Sequence, residues 1–400
     1  MKKKMLITCT VVLVTAAVIL GFVLKNQVRE NPDKNTVNVA IGQWDTTQNE
    51  SQNYWNPDNH AVAKGMGGYY FIQTTDGISK IAFFDETTQE AVAVCAKPEC
   101  THSDNTCNAY LCDMKQTGSA LYLTDTIYCY NGYLYLIQCE GGMGKLVRIH
   151  TDGSARETIA DLFANTGVSS ISLVFHKNDV YAYDDTGHAG QEEEAEEVIK
   201  KISLTDGTEQ TVFSYTGTGA SIDRGRSFGD KLYFVIREYT KNKETKAVSS
   251  DYKGLFEYDF ATGDTRKVID ADVCDYHADT ENQMLFYFVQ GTGLYAYDMT
   301  QGSNTLIYPA EDELIQCKMS YDGKNLYLFN NGAGRATETK TRIQRYCYVL
   351  DTKGNQIAKI LCNGIVYFGD TDYLFEENGD NLEYMKKENL SDKSEWILIN

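Results

Sequence analysis

The chain has 400 residues, with 37 Lys and Arg against 56 Asp and Glu and a formal charge of −19. That balance disfavours nucleic acid and anionic lipid, whose binders need basic stripes to displace counterions, and it suits a neutral or cationic ligand. The length would ordinarily hold two or three domains, unless the chain is built from units that pack only on their neighbours.

Met1-Lys2-Lys3-Lys4 precedes an uncharged apolar run from Met5 to Leu24. About 20 residues at 1.5 Å rise span a hydrocarbon core of ~30 Å, and lysines ahead of the run favour a cytoplasmic N-terminus. The expectation is a cytoplasmic tail at 1–4 and an uncleaved transmembrane anchor at 5–24. A cleaved signal peptide competes with it. However, the exit Gly21-Phe22-Val23-Leu24-Lys25 offers bulky residues where a small-x-small site is needed. Leu6-Ile7-Thr8-Cys9 faintly matches a lipoprotein box, yet it follows the lysines too closely to leave an apolar signal core. Residues 25–57 are polar and without sustained period, and read as a tether. Removing the three tail lysines from the 37 basic residues leaves 34 against 56 acids outside the membrane, a net of −22. The expected location is the cell membrane, single-pass, with the C-terminal domain extracellular.

From residue 58 to 400 one pattern recurs seven times. Its starts are Tyr69-Tyr70-Phe71, Tyr133-Leu134-Tyr135, Val180-Tyr181-Ala182, Leu232-Tyr233-Phe234, Leu285-Phe286-Tyr287, Leu326-Tyr327-Leu328 and Tyr373-Leu374-Phe375. Each start is followed by an alternating strand that runs into a Gly turn, as in Ile149-His150-Thr151-Asp152-Gly153 and Leu350-Asp351-Thr352-Lys353-Gly354. Asp-Gly and its relatives supply the positive φ of tight hairpins, so each unit is a four-stranded meander. Repeats of about 40–50 residues with four strands each predict an all-β, seven-bladed β-propeller behind the single N-terminal helix. Trp396-Ile397-Leu398-Ile399-Asn400 can supply the last outer strand, and residues 60–64 the first inner one. Ser320-Tyr321-Asp322-Gly323 resembles the hairpin of TolB-like propellers. Most of the 28 tyrosines fall at alternating strand positions, where aromatics fill the space between blades.

An insert at 95–118 breaks the repeat. It holds Cys95, Cys100, His102, Cys107 and Cys112 in a C-x4-C-x6-C-x4-C spacing with the His inside. Three readings stay open. The preferred one is a disulfide staple on the outer edge of the first blade, since so short an insert has no core of its own. The second is a metal site, with zinc held by His102 and at least three of the four thiolates. The third is a set of reduced thiols. Cys95, Lys97, Pro98, Cys100, His102, Cys107, Ala109 and Tyr110 resemble a signature of uncharacterised, membrane-attached propellers of anaerobic Gram-positive gut bacteria. The resemblance implies a surface protein with a propeller ectodomain and brings no activity.

Among the other cysteines, the Asn131-Gly132 turn places Cys129 opposite Leu134 and Cys139 opposite Thr124, so those two do not pair. Cys274, Cys317 and Cys362 fall near the starts of the innermost strands of units 5, 6 and 7. Asp370-Thr371-Asp372 and Asp270-Ala271-Asp272 could assist calcium but lack the frame of an EF-hand. No nucleophile elbow, zincin motif, phosphate loop or dinucleotide fingerprint is present. No catalytic or cofactor-binding residue is therefore named. The leading expectation is a binding or scaffolding ectodomain for a glycan, peptide or envelope protein. The alternative is an extracellular glycan hydrolase or lyase, which needs two inward carboxylates about 5–9 Å apart at the channel mouth.

Overall fold

The computed structural model describes Val39, Ile41 and Trp44 and then residues 51–115, 121–164, 171–184, 194–241, 248–331 and 344–399. The expected tail, the anchor, most of the tether and residues 116–118 of the insert lie outside the described residues. Among the described residues no helix is long and apolar enough to cross a membrane.

Seven antiparallel sheets follow one another along the chain, at 62–113, 121–164, 171–218, 221–269, 273–309, 318–362 and 365–398. They are the seven blades, and each hairpin start read from the sequence lies in the second strand of its sheet. The inner strands Ile171–His176, Ser221–Phe228 and Val273–Asp279 are buried at every position. The outer strands, such as Glu209–Thr218, are largely exposed. Second-strand tyrosines do fill the gaps between blades. Tyr69, Tyr135, Tyr181, Tyr233, Tyr287 and Tyr327 are all less than 2% exposed. Aromatic pairs of this kind contribute about 0.5–1.5 kcal/mol each beyond area burial.

Some of the recurrent turn glycines have a second role besides hairpin geometry. Gly153 of blade 2 has φ +81°, and a Cβ there would lie 2.4 Å from the Val94 carbonyl of blade 1. Gly354 of blade 6 has φ +85°, and a Cβ would lie 2.0 Å from the Ile307 carbonyl of blade 5. In these two blades the third turn is thus seated against the backbone of the blade before, which a side chain would forbid.

All four strands of blade 7 come from the C-terminal stretch, ending in Ile397–Leu398. The ring therefore closes between two complete blades. Val62, Tyr69, Phe71 and Phe84 of blade 1 share one apolar cluster with Tyr373, Phe375, Tyr384 and Ile399.

Two register expectations need correction. Cys129 does face Leu134, but Cys139 faces Leu121, because a bulge between Tyr122 and Ile127 shifts the pairing. Cys274 lies near the start of the inner strand of blade 5 and Cys317 immediately precedes that of blade 6, whereas Cys362 ends the outer strand of blade 6. It precedes the inner strand Ile365–Phe368 by a turn containing Gly364.

His176 sits between blades 3 and 4, stacked on Phe260 at 3.9 Å between ring centroids. Neither ring nitrogen has a hydrogen-bond partner. Burial, with Lys177 adding repulsion, pushes its pKa from 6.5 to about 4. Between pH 6.5 and 4 the unfolded chain takes up a proton that the folded chain refuses. The stability is thus whole above pH 6.5 and is lost as pH falls towards 4. His176→Phe is expected to stabilise the chain by about 1 kcal/mol at pH 7.5. The gain should grow by about 1.4 kcal/mol per pH unit below 6.5. Thermal melts of both proteins at pH 7.5 and pH 5 check this, and an equal or smaller gain at pH 5 would refute it.

Candidate metal centre and a filled channel

Blade 1 has a divided outer strand. Ala91–Ala93 pairs with residues 82–84, and Tyr110–Asp113 pairs with residues 78–80 of the same third strand. Between them the chain leaves and rejoins the sheet at one residue. The Val94 N–H donates to the Ile81 carbonyl at 3.0 Å, and the Ile81 N–H donates to the Ala109 carbonyl at 2.9 Å. The cysteine segment is this excursion. Its neck is narrow because both ends bond to Ile81.

The excursion is built locally from turns. Asp104 accepts hydrogen bonds from the Thr106 N–H and hydroxyl, at 2.9 and 2.6 Å. The Lys97 ammonium donates to the Thr106 carbonyl. Glu99 and His102 adopt left-handed backbone, with φ of 64° and 56°. These turns bring one donor atom from each of Cys95, Cys100, His102 and Cys107 within 4.8 Å of one another. His102 Nδ1 lies 3.2 Å from the Cys107 sulfur. Cys107 is buried on the apolar floor between blades 1 and 2, with Ile81, Ile127, Leu134 and Val147. For Cys95, desolvation acts upward but is outweighed by hydrogen bonding from the backbone of Lys97 and Asn108 and from the neighbouring thiols, and its pKa falls from 9.0 to about 6. Burial pushes Cys107 up, to about 11.

Cys112, included in the ligand set from spacing, is not brought to the cluster. It lies in the strand Tyr110–Asp113, opposite Ser79, and is buried there. The described cysteines are free thiols, so the preferred staple does not appear.

The proposed calcium ligands are occupied with protein. Asp370 accepts from the Tyr69 hydroxyl at 2.7 Å and from the Asp372 N–H at 3.0 Å. The Lys64 ammonium lies 2.5 Å from Glu86 and 3.2 Å from Asp370. It supplies the positive charge at the point where Glu86, Asp370 and Asp372 converge. Asp270 pairs with Lys267 at 2.8 Å, and Asp272 accepts the Tyr252 N–H at 2.8 Å.

The channel is the second unexpected feature. Residues 51–57, assigned to the tether from their polarity, pack inside the ring with Asp58, Asn59 and His60. Inner strands present an unpaired backbone edge to the channel, and buried N–H and C=O groups need partners. Side-chain amides supply them. Gln52 accepts from the Phe175 N–H at 2.9 Å and donates to its carbonyl at 2.7 Å. Asn53 repeats the arrangement with Ser227 of blade 4. His277 of blade 5 contacts the Asn53 carbonyl, and the Ser320 hydroxyl of blade 6 donates to the Tyr54 carbonyl. The Asn56 N–H donates to Tyr367 of blade 7, and the Ile127 N–H of blade 2 donates to the His60 carbonyl. One short segment thus bonds to blades 2 to 7 before entering blade 1.

Three buried channel carboxylates are paired with arginine. Asp275 bonds Arg226 at 2.7 Å, Asp223 meets Arg237 at 2.8 Å, and Asp58 is in contact with Arg224. A cavity of about 610 Å³ opens instead at the turn ends of blades 6, 7 and 1, lined by Lys324, Asp372, Lys386, Lys387 and Glu388 among others. There Asp322 holds the almost wholly buried Lys387 at 3.1 Å.

No family model and no curated protein matches the chain. Solved structures resemble it in fold. One, from a study of two prolyl endopeptidases, is 12% identical with a TM-score of 0.54. It covers 92% of this chain, which spans only 50% of that one. An oligogalacturonate lyase in complex with manganese is 11% identical over 91% of this chain and 96% of its own, with a TM-score of 0.49. BamB from Moraxella catarrhalis is 12% identical over 87% of this chain and 99% of its own, at 0.40. At such identities the likeness is one of fold alone, and the fold is the seven-bladed β-propeller that the repeats predicted.

Proposed function

We propose that this chain is a membrane-anchored, surface-displayed propeller that binds or scaffolds a glycan, peptide or envelope protein and does not use its channel for catalysis. The observation that carries this reading is the filled channel. A hydrolase or lyase of the alternative type needs a pair of free inward carboxylates facing a substrate-sized space. Asp58, Asp223 and Asp275 are each held by an arginine, and residues 51–60 take the space. The cavity at the turn ends of blades 6, 7 and 1 is the ligand site in this reading. Its exposed Lys324, Asp372, Lys386 and Glu388 offer donors and acceptors to a polar ligand.

The test uses the full chain in detergent micelles on glycan and peptide arrays, beside an Asp372→Lys, Lys386→Glu double variant. Saturable binding that falls at least about tenfold in the variant, the loss expected when two or so charge-assisted hydrogen bonds go, supports the reading. Turnover of a bound glycan, or binding indifferent to the variant, counts against it. The anchor is tested separately. Membrane-extracted protein should keep Met5–Leu24 on N-terminal sequencing, and a start after residue 24 would mean cleavage.

A further inference from the structure

We propose that Cys95, Cys100, His102 and Cys107 together bind one zinc ion as a closed structural centre that fastens the interrupted outer strand of blade 1. The inference is independent of what the propeller binds.

Three thiol sulfurs and one imidazole nitrogen converge within 4.8 Å of one another. A tetrahedral zinc with bonds of about 2.3 Å to sulfur and 2.0 Å to nitrogen needs donor-to-donor edges of roughly 3.5–3.8 Å. The ligands are thus assembled to within about an ångström of the bound geometry. Four donors fill a tetrahedron and leave no open position, which is the mark of a structural site. A disulfide would use two of the three sulfurs and give His102 no role, although its ring is already 3.2 Å from the Cys107 sulfur.

The surroundings point the same way. The apolar floor from blades 1 and 2 shields one side of the site. Cys112, in the sheet, takes no part. Binding is a ligand exchange with no change of oxidation state. Zn²⁺ replaces the protons of the three thiols, which are released to solvent, and His102 joins as neutral imidazole.

The consequence is mechanical. Cys95 and Cys107 flank the neck at Ile81, where the two halves of the outer strand meet. Joining them through an ion makes a continuous outer edge from two short strands and a loop.

The test starts with the full chain extracted and purified without chelator. Elemental analysis should find about one zinc per chain. Cys100→Ser and His102→Ala should lower zinc content at least about tenfold, while Cys112→Ser keeps it. Because a ligand variant could misfold, the wild-type chain is also stripped and reloaded with cobalt(II), which should give thiolate-to-metal charge-transfer and tetrahedral ligand-field bands. Absence of metal after zinc loading, a disulfide among Cys95, Cys100 and Cys107 by non-reducing mass spectrometry, or equal loss of metal in Cys112→Ser would each overturn the proposal. So would an octahedral cobalt spectrum.

Discussion

Replacing Asp275 by alanine will destabilise the folded chain by about 3–5 kcal/mol, the cost of leaving a buried arginine without its counter-charge. Asp275 is fully buried on the inner strand of blade 5. One carboxylate oxygen accepts from Arg226 of blade 4 at 2.7 Å, and the other accepts the Met319 N–H of blade 6 at 2.8 Å. Arg226 completes the loop by donating to the Met319 carbonyl at 2.8 Å. One carboxylate and one guanidinium therefore tie three successive blades along the channel wall. Alanine removes the charge, orphans the Met319 N–H and leaves Arg226 in a low-dielectric site.

The pair itself is a different matter. Two desolvated charges recover little beyond their own desolvation, so removing both should cost much less than removing one. The double variant Asp275→Ala, Arg226→Met is expected to be more stable than Asp275→Ala alone. Urea denaturation followed by tryptophan fluorescence reads both. A single variant within about 1 kcal/mol of the wild type, or a double variant no better than the single, would show that Arg226 finds another partner.

The blade count was legible because it rests on alternation and turn chemistry, which are local. The seven second strands and the Asp-Gly turns each announce themselves within about ten residues. Pairing of Cys129 with Leu134 follows from a two-residue turn. The error at Cys139 has a local cause that no turn reveals, the bulge between Tyr122 and Ile127. In the metal segment, spacing found the four converging ligands and added a fifth. Cys112 could have been set apart by the short strand signal in Ala109-Tyr110-Leu111, which returns the chain to the sheet. The left-handed turns at Glu99 and His102 within the segment were invisible, as neither is a residue that advertises one. The channel segment was missed for a related reason. Gln52, Asn53, Asn56 and Asp58 look solvated in sequence, and only the ring's unpaired inner edges give them buried partners. The one available signal was Tyr54-Trp55, an aromatic pair inside an otherwise polar stretch.

That aromatic pair leads to the second large effect. Trp55→Ala is expected to cost about 3–5 kcal/mol, the range for truncating a large buried aromatic. Trp55 is 2% exposed and belongs to the cluster that joins blade 1 to blade 7. Its ring lies 6.0 Å from Tyr69 and 5.8 Å from Phe375, and its backbone bridges Phe368. No strand is exchanged between the first and last blades, so closure rests on side-chain contacts: this cluster, the Asp370 bonds to Tyr69 and Lys64, and the amide bonds of the channel segment. The loss should therefore be uneven. Hydrogen exchange should quicken most at Ile365–Phe368 and Val62–Gly65, and much less at Lys231–Lys241, across the ring. A Trp55→Phe variant, which keeps an aromatic ring in the cluster, should recover more than half of the stability. If exchange instead rises equally in all seven blades, the ring opens as one cooperative unit and closure is not its weak point. If Trp55→Ala leaves both stability and exchange unchanged, the channel segment is a passenger in a ring that closes without it.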